Sequence, residues 1–205
     1  MRHCVVFVIL VCLCGLTGCG ALDATIRSKT FQPGPTEIYT NAVTGFCFPP
    51  TVDTFNRERV TVFNRQGNDI GVGYNQPGYR MALTVFVYPI PADGPDSTFD
   101  AHFKRCEQTI LVQHSDVQLV TNEDIQIWPG NVRHDGRRAV FNYMQANGSV
   151  NQAVRSELYL FARGKQFVLY RMTYPESMEG GAEPAIKFFL EDFAWPQDKS
   201  GNTGN

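Results

Sequence analysis

Two apolar runs joined by Gly164-Lys165 constrain the chain more than any other feature. Residues 154–163 and 166–174 are rich in β-branched, aromatic and aliphatic side chains. A two-residue connection with glycine first suits a type II′ hairpin turn. That turn sets a register in which Ala162 faces Phe167 and Leu160 faces Leu169 on one side. Phe161 then faces Val168, and Tyr159 faces Tyr170, on the other. A slip of one residue would move every side chain to the opposite face. Since both faces are apolar or aromatic, the sheet that contains this hairpin needs cover on both sides.

The rest of the chain supplies strands and two helices. Around residue 60, Val60, Val62 and Asn64 alternate with Arg59, Thr61 and Phe63, and Gln66-Gly67-Asn68-Asp69 makes a turn. Residues 70–74 return, Gln76-Pro77-Gly78 turns again, and residues 79–88 form a long β-branched and aromatic strand. Pro89, Pro91, Gly94 and Pro95 end the sheet there. Asp96 or Ser97 caps a helix running to residue 113, with Phe99, Phe103, Cys106 and Ile110 on one face. Strands follow at 117–121, 125–128 and 138–145, and Asn147-Gly148 marks the turn into the hairpin. A last helix over 183–193 offers Ile186, Phe189, Leu190 and Phe193 as cover, and Trp195-Pro196 ends it. Gly71-Val72-Gly73 lies inside a hairpin rather than before a helix, which makes it a twist or bulge device and not a cofactor loop.

The expected fold class is therefore α+β, a largely antiparallel sheet of about seven strands with helices on both faces. In element order, in the approach over residues 46–50 and in the ending from Tyr174-Pro175 to Trp195, residues 45–196 resemble the Mog1/PsbP-like fold, an α/β/α sandwich that includes DcrB-type bacterial lipoproteins. The resemblance implies binding or assembly roles and brings no catalytic residues with it.

The N-terminus addresses the chain. Met1-Arg2-His3 precedes an apolar run over residues 4–16. Such a run is shorter than the roughly 20 residues that span a bilayer and fits a signal-peptide core. It ends in Leu16-Thr17-Gly18-Cys19, which resembles the lipobox of bacterial lipoproteins. That resemblance implies cleavage after residue 18 and a diacylglycerol on the Cys19 thiol, with further acylation such as palmitate. Each buried methylene contributes about 0.8 kcal/mol, so two chains hold durably where one does not. In enterobacterial lipoproteins, which this N-terminus resembles, Asp after the cysteine favours the inner membrane; Gly20 in its place implies the outer membrane, facing the periplasm, if the cell is Gram-negative.

Processing also sorts the cysteines. Cys4, Cys12 and Cys14 leave with the signal, Cys19 is lipidated, and Cys47 and Cys106 remain. These two either form a disulfide, worth roughly 4 kcal/mol for a loop of about 60 residues, or stay as separate buried thiols. Residues 19–43 read as the lipidated N-terminus and a flexible tether, 44–196 as a single domain, and 197–205 as a disordered tail. The chain from Cys19 on has 17 Lys and Arg against 20 Asp and Glu, a balance that argues against nucleic-acid binding.

Few residues offer chemistry. His102, His114 and His134 are scattered; His102 and Cys106 share a helix edge, but the helix already needs Cys106 for packing. Asp93, Asp96 and Asp100 lack calcium-loop spacing and suit a helix N-terminus. No nucleophile elbow, phosphate loop or zinc motif occurs. Neither a metal nor a cofactor is expected beyond the lipid on Cys19. The candidate binding surface comprises the aromatics Tyr74, Tyr79 and Trp128, with Tyr39, and a basic group of Arg133, Arg137 and Arg138. The leading expectation is a non-enzymatic, lipid-anchored envelope protein that binds another envelope protein. The alternatives are a small-ligand-binding lipoprotein with an aromatic-lined cleft and an enzyme with a site assembled from scattered residues.

Overall fold

The computed structural model describes residues 28–147 and 150–196. The lipobox with Cys19, the turn residue Gly148 and the tail 197–205 lie outside the described residues. In chain order the strands are β1 (Lys29–Phe31), β2 (Tyr39–Thr40), β3 (Cys47–Phe48), β4 (Thr51–Val52), β5 (Phe55–Val62), β6 (Ile70–Gln76) and β7 (Met81–Pro89). Helix α1 (Phe99–Gln113) precedes β8 (Gln118–Ile127), β9 (His134–Asn147), β10 (Val150–Arg163) and β11 (Gln166–Pro175), and helix α2 (Glu179–Asp192) follows. Nine of the strands form one sheet in the order β1-β5-β6-β7-β11-β10-β9-β8, with β4 also on β5, and β2 pairs β3 separately. Every ladder is antiparallel.

The β10–β11 hairpin has the expected register, Ala162 on Phe167 through Tyr159 on Tyr170. Gly164 takes the positive φ (57°) that the first turn position needs. Its two faces enter two cores. Tyr159, Phe161, Val168, Tyr170, Met172 and Tyr174 join Phe189 and Phe193 in one cluster, and Leu158, Leu160, Phe167 and Leu169 join Phe103, Cys106 and Ile110 in the other. Each face of the sheet thus receives one helix, α2 or α1. On the α2 side Phe55, Tyr74 and Tyr170 meet Phe189 edge to face at 4.9, 5.2 and 6.3 Å between ring centres.

Four expectations change. The sheet has nine strands rather than about seven, and two helices cover it only in part, so the layering is not a filled sandwich. The stretch read as a tether up to Val43 is folded from Lys29 on: β1 pairs with β5, and Phe31 packs edge to face on Tyr39 at 5.4 Å. Residues 117–121 and 125–128 are one strand, β8, broken in register only at Val120. Finally, α1 is capped by Thr98, whose Oγ1 accepts from Ala101 N. Asp96 instead lies buried against Arg105 Nε at 2.6 Å, and the Ser97 hydroxyl donates to Gly94 O.

Candidate functional site

β8 is the long free edge of the sheet. It pairs on one side with β9, from Gln118 on Asn142 to Ile127 on His134, and among the described residues nothing pairs with its other side. An edge strand offers unpaired N–H and C=O groups to any incoming strand. Its centre is acidic and held from below: Glu123 lies across from Arg138, and Asp124 across from Arg137. Arg138 Nη1 reaches Glu123 at 3.0 Å, and Arg137 Nε reaches Asp124 at 3.5 Å. Its ends are apolar. Leu119 and the bulged Val120 are exposed, as is Val112 in the last turn of α1. Beyond the strand, Trp128 and Val132 flank Pro129-Gly130-Asn131, where Gly130 (φ 61°) and Asn131 (φ 64°) reverse the chain in left-handed conformation. Both side chains are left pointing to solvent.

The basic group does not form one surface, because neighbours on a strand point to opposite faces. Arg133 forks onto the exposed Asp135 at 2.7 and 3.1 Å. Arg137 lies on the α1 side over the Phe103 ring, with Asp100 at 3.4 Å and Asn122 at 2.7 Å. Arg138 lies on the α2 side and donates to the fully buried Glu157 from Nε at 2.8 Å and Nη2 at 2.7 Å. Glu157 also accepts from the hydroxyls of Tyr159 (2.7 Å) and Tyr174 (2.5 Å). Burial first, and then the Glu157 charge, push both phenols far above their ordinary range, so both stay protonated donors.

Nor do the aromatic candidates line one cleft. Tyr74 is fully buried in the α2-side core, where its hydroxyl donates to Pro49 O at 3.0 Å. Tyr79 packs against Gly181, so closely that a β-carbon there would lie 2.3 Å from its ring. Trp128 sits beyond β8, at the opposite edge of the sheet from β6 and β7. Tyr39 stacks on Phe48 at 6.0 Å. An open depression of about 740 Å³ does exist beside the start of α1, bordered by Phe99, Asp100, Asp124, Gln126, Asp135 and Arg137. Ile125 and Ala162 also line it, Phe99 is the one aromatic among these residues, and the three aspartates ring an arginine that is already paired.

Cys47 and Cys106 are thiols and are not bridged to each other. Cys47 is exposed on β3, its Sγ 3.3 Å from Thr40 Oγ1, whereas Cys106 is buried beneath α1 on the other face. His102 stacks flat on Phe167 (4.3 Å, 5°), and its Nε2 lies 2.7 Å from Tyr88 Oη and 3.7 Å from Cys106 Sγ. Burial lowers its pKa despite the nearby Asp96. His114 lies on Tyr143 at 3.7 Å and His134 on Trp195 at 4.1 Å, so the three histidines are apart. Among the described residues no group of three or more His, Cys, Asp or Glu side chains is placed to hold a metal, and no helix is long and apolar enough to cross a membrane.

These features define a class by architecture: an antiparallel nine-stranded sheet with one helix on each face and a long free edge. The chain is similar to the solution structure of cyanobacterial PsbP (CyanoP) from Synechocystis sp. PCC 6803, at 13% identity over 85% of this chain and 95% of that one, with a TM-score of 0.42. A likeness of this degree says nothing about function. No family model and no curated protein matches the sequence.

Proposed function

We propose that the protein is a lipid-anchored lipoprotein of the cell envelope that binds another envelope protein through the β8 edge and has no catalytic role. The lipobox at Leu16-Thr17-Gly18-Cys19 supports the anchor, with diacylglycerol on Cys19 and the outer membrane as the favoured address. A helix on each face of an antiparallel sheet supports the Mog1/PsbP-like layering. One observation carries the binding reading. Of the nine exposed large apolar side chains among the described residues, five (Val112, Leu119, Val120, Trp128 and Val132) fall between residues 112 and 132, along the free edge and its flanks. Exposed apolar groups gathered beside unpaired backbone suit strand addition by a partner.

A photo-crosslinking residue placed at Val120 or Trp128 in cells tests this. The expected result is a discrete adduct with an envelope protein that is absent when the same residue replaces Glu58, on the far side of the sheet. The same adducts from all three positions, or none from the edge, would refute the binding surface.

A further inference from the structure

The α1 side of the sheet is covered over only half its width. Helix α1 lies on β9 and β10, where Ala139, Phe141, Leu158 and Leu160 pack under Phe103, Cys106 and Ile110. Along β7 burial alternates strictly: Met81, Leu83, Val85 and Val87 are buried on the α2 side, while Ala82, Thr84, Phe86 and Tyr88 are half-exposed on the α1 side. The register lays out this open floor in rows. Arg171 lies beside Thr84 and then Gly73; Thr173 beside Ala82 and Asn75; Leu169 beside Phe86 and Gly71. The middle of the floor is low because glycine, alanine and threonine occupy it. At one side rise Phe86 and Phe63, stacked at 6.3 Å, and a β-carbon on Gly71 would lie 3.1 Å from both rings.

Two cations border this floor: Arg59 at its β5 side, whose Cγ would lie 3.8 Å from a β-carbon on Gly73 beside the Glu58 side chain, and Arg171 within it. Arg171 Nε donates to Ser156 Oγ at 2.8 Å. Ser156 is fully buried, donates to Met172 O at 3.0 Å and lies 3.0 Å from Thr173 Oγ1, so the guanidinium is held in one orientation. Arg105, Arg133, Arg137, Arg138 and Arg155 each have a carboxylate partner. No carboxylate among the described residues pairs with Arg171. The charge is felt by His114 at the end of α1, whose pKa is lowered first by burial and then by Arg171, against the opposing pull of the exposed Asp116. A fixed guanidinium with its terminal nitrogens unspent recognises a carboxylate bidentately.

We propose that this open half-face binds a small amphiphilic carboxylate. Its anionic head pairs with Arg171, and its apolar body lies across Thr84 against Phe86 and Phe63. The site is separate from the β8 edge, from which β11 and β7 are three and four strands removed, and it stands or falls independently of the partner-binding reading.

The test is an NMR titration of the isotope-labelled full chain with octanoate, and with octanamide as the uncharged control. The expected result is saturable shifts at Gly71, Gly73, Thr84 and the Arg171 side-chain N–H, with octanamide at least about tenfold weaker, the usual worth of a charge-assisted pair over a neutral one. Arg171→Gln abolishes the octanoate preference. If that variant does not fold, Thr84→Phe fills the floor, leaves Arg171 in place and still removes binding. Equal binding of octanoate and octanamide would overturn the proposal. So would shifts confined to another surface, an unaffected Thr84→Phe variant, or inorganic phosphate binding as tightly as octanoate.

Discussion

Replacing Glu157 with alanine is expected to be the most destabilising charge deletion in the domain. The carboxylate is fully buried and accepts from Arg138 and from the hydroxyls of Tyr159 and Tyr174. Removing one partner of a buried ion pair costs about 3–5 kcal/mol, because the other charge stays behind. Each orphaned buried hydroxyl adds about 1 kcal/mol or more. Arg138 retains Glu123 at 3.0 Å, which offsets part of the loss, so about 4 kcal/mol is expected. At roughly 2–4 °C per kcal/mol for a domain of this size, Tm falls by roughly 8–16 °C. Glu157→Gln keeps the shape and one acceptor and costs about half as much. Asp135→Ala, which breaks the exposed pair with Arg133, costs under about 1 kcal/mol. Urea unfolding followed by the fluorescence of the buried Trp195 and by circular dichroism measures all three. If Glu157→Ala costs no more than Asp135→Ala, the argument from burial is wrong. A combined Arg138→Met and Glu157→Leu variant should recover much of the loss, since apolar side chains in place of a buried pair leave no charge uncompensated.

Three further outcomes follow from the same structure. Burial raises the Asp69 pKa to about 6; a folded-state value above the unfolded one gives stability that is complete below about pH 4 and lost as pH rises through 6. Asp69→Asn should therefore raise Tm at pH 7.5 and leave it unchanged at pH 4, and equal gains at both would contradict the assignment. Gly136→Ala should destabilise by about 2–3 kcal/mol, since a β-carbon there would lie 2.4 Å from the Phe161 ring and 2.5 Å from Leu160 O; an unchanged urea midpoint would contradict that packing. In native protein a thiol reagent should label Cys47 at once and Cys106 only on unfolding, because the first is exposed and the second buried; fast labelling of both would mean that α1 lifts readily.

How much of this was legible in the sequence depended on how local the deciding interaction is. The β10–β11 register could be read because Gly164-Lys165 fixes it within two residues. Helix α1 could be read from its 3–4 spacing, though its cap fell to Thr98 because Asp96 found Arg105 instead. β1 could not, since three residues without periodicity become a strand only by pairing with β5 some 30 residues on. The early start of α2 was hidden by Gly180, Gly181 and Pro184, all poor interior helix residues. For the sites, the signal lies in the two-residue alternation of the strands. Alternation alone separates Arg137 from Arg138. It also puts Tyr74 with Ile70 and Val72 on the core face, and it places Arg171 opposite in sense to Tyr170 and Met172. What alternation did not carry is which carboxylates meet which arginines, and hence that Arg171 has none.

Lipidation of Cys19 is what would hold the protein in the envelope. Mass spectrometry of the N-terminal peptide of protein recovered from the membrane fraction tests it directly. The expected mature chain begins at Cys19 and carries a diacylglyceryl group on its sulfur, and a Cys19→Ala variant is neither lipidated nor membrane-bound. A mature N-terminus elsewhere, with the Cys19 thiol unmodified, would contradict it.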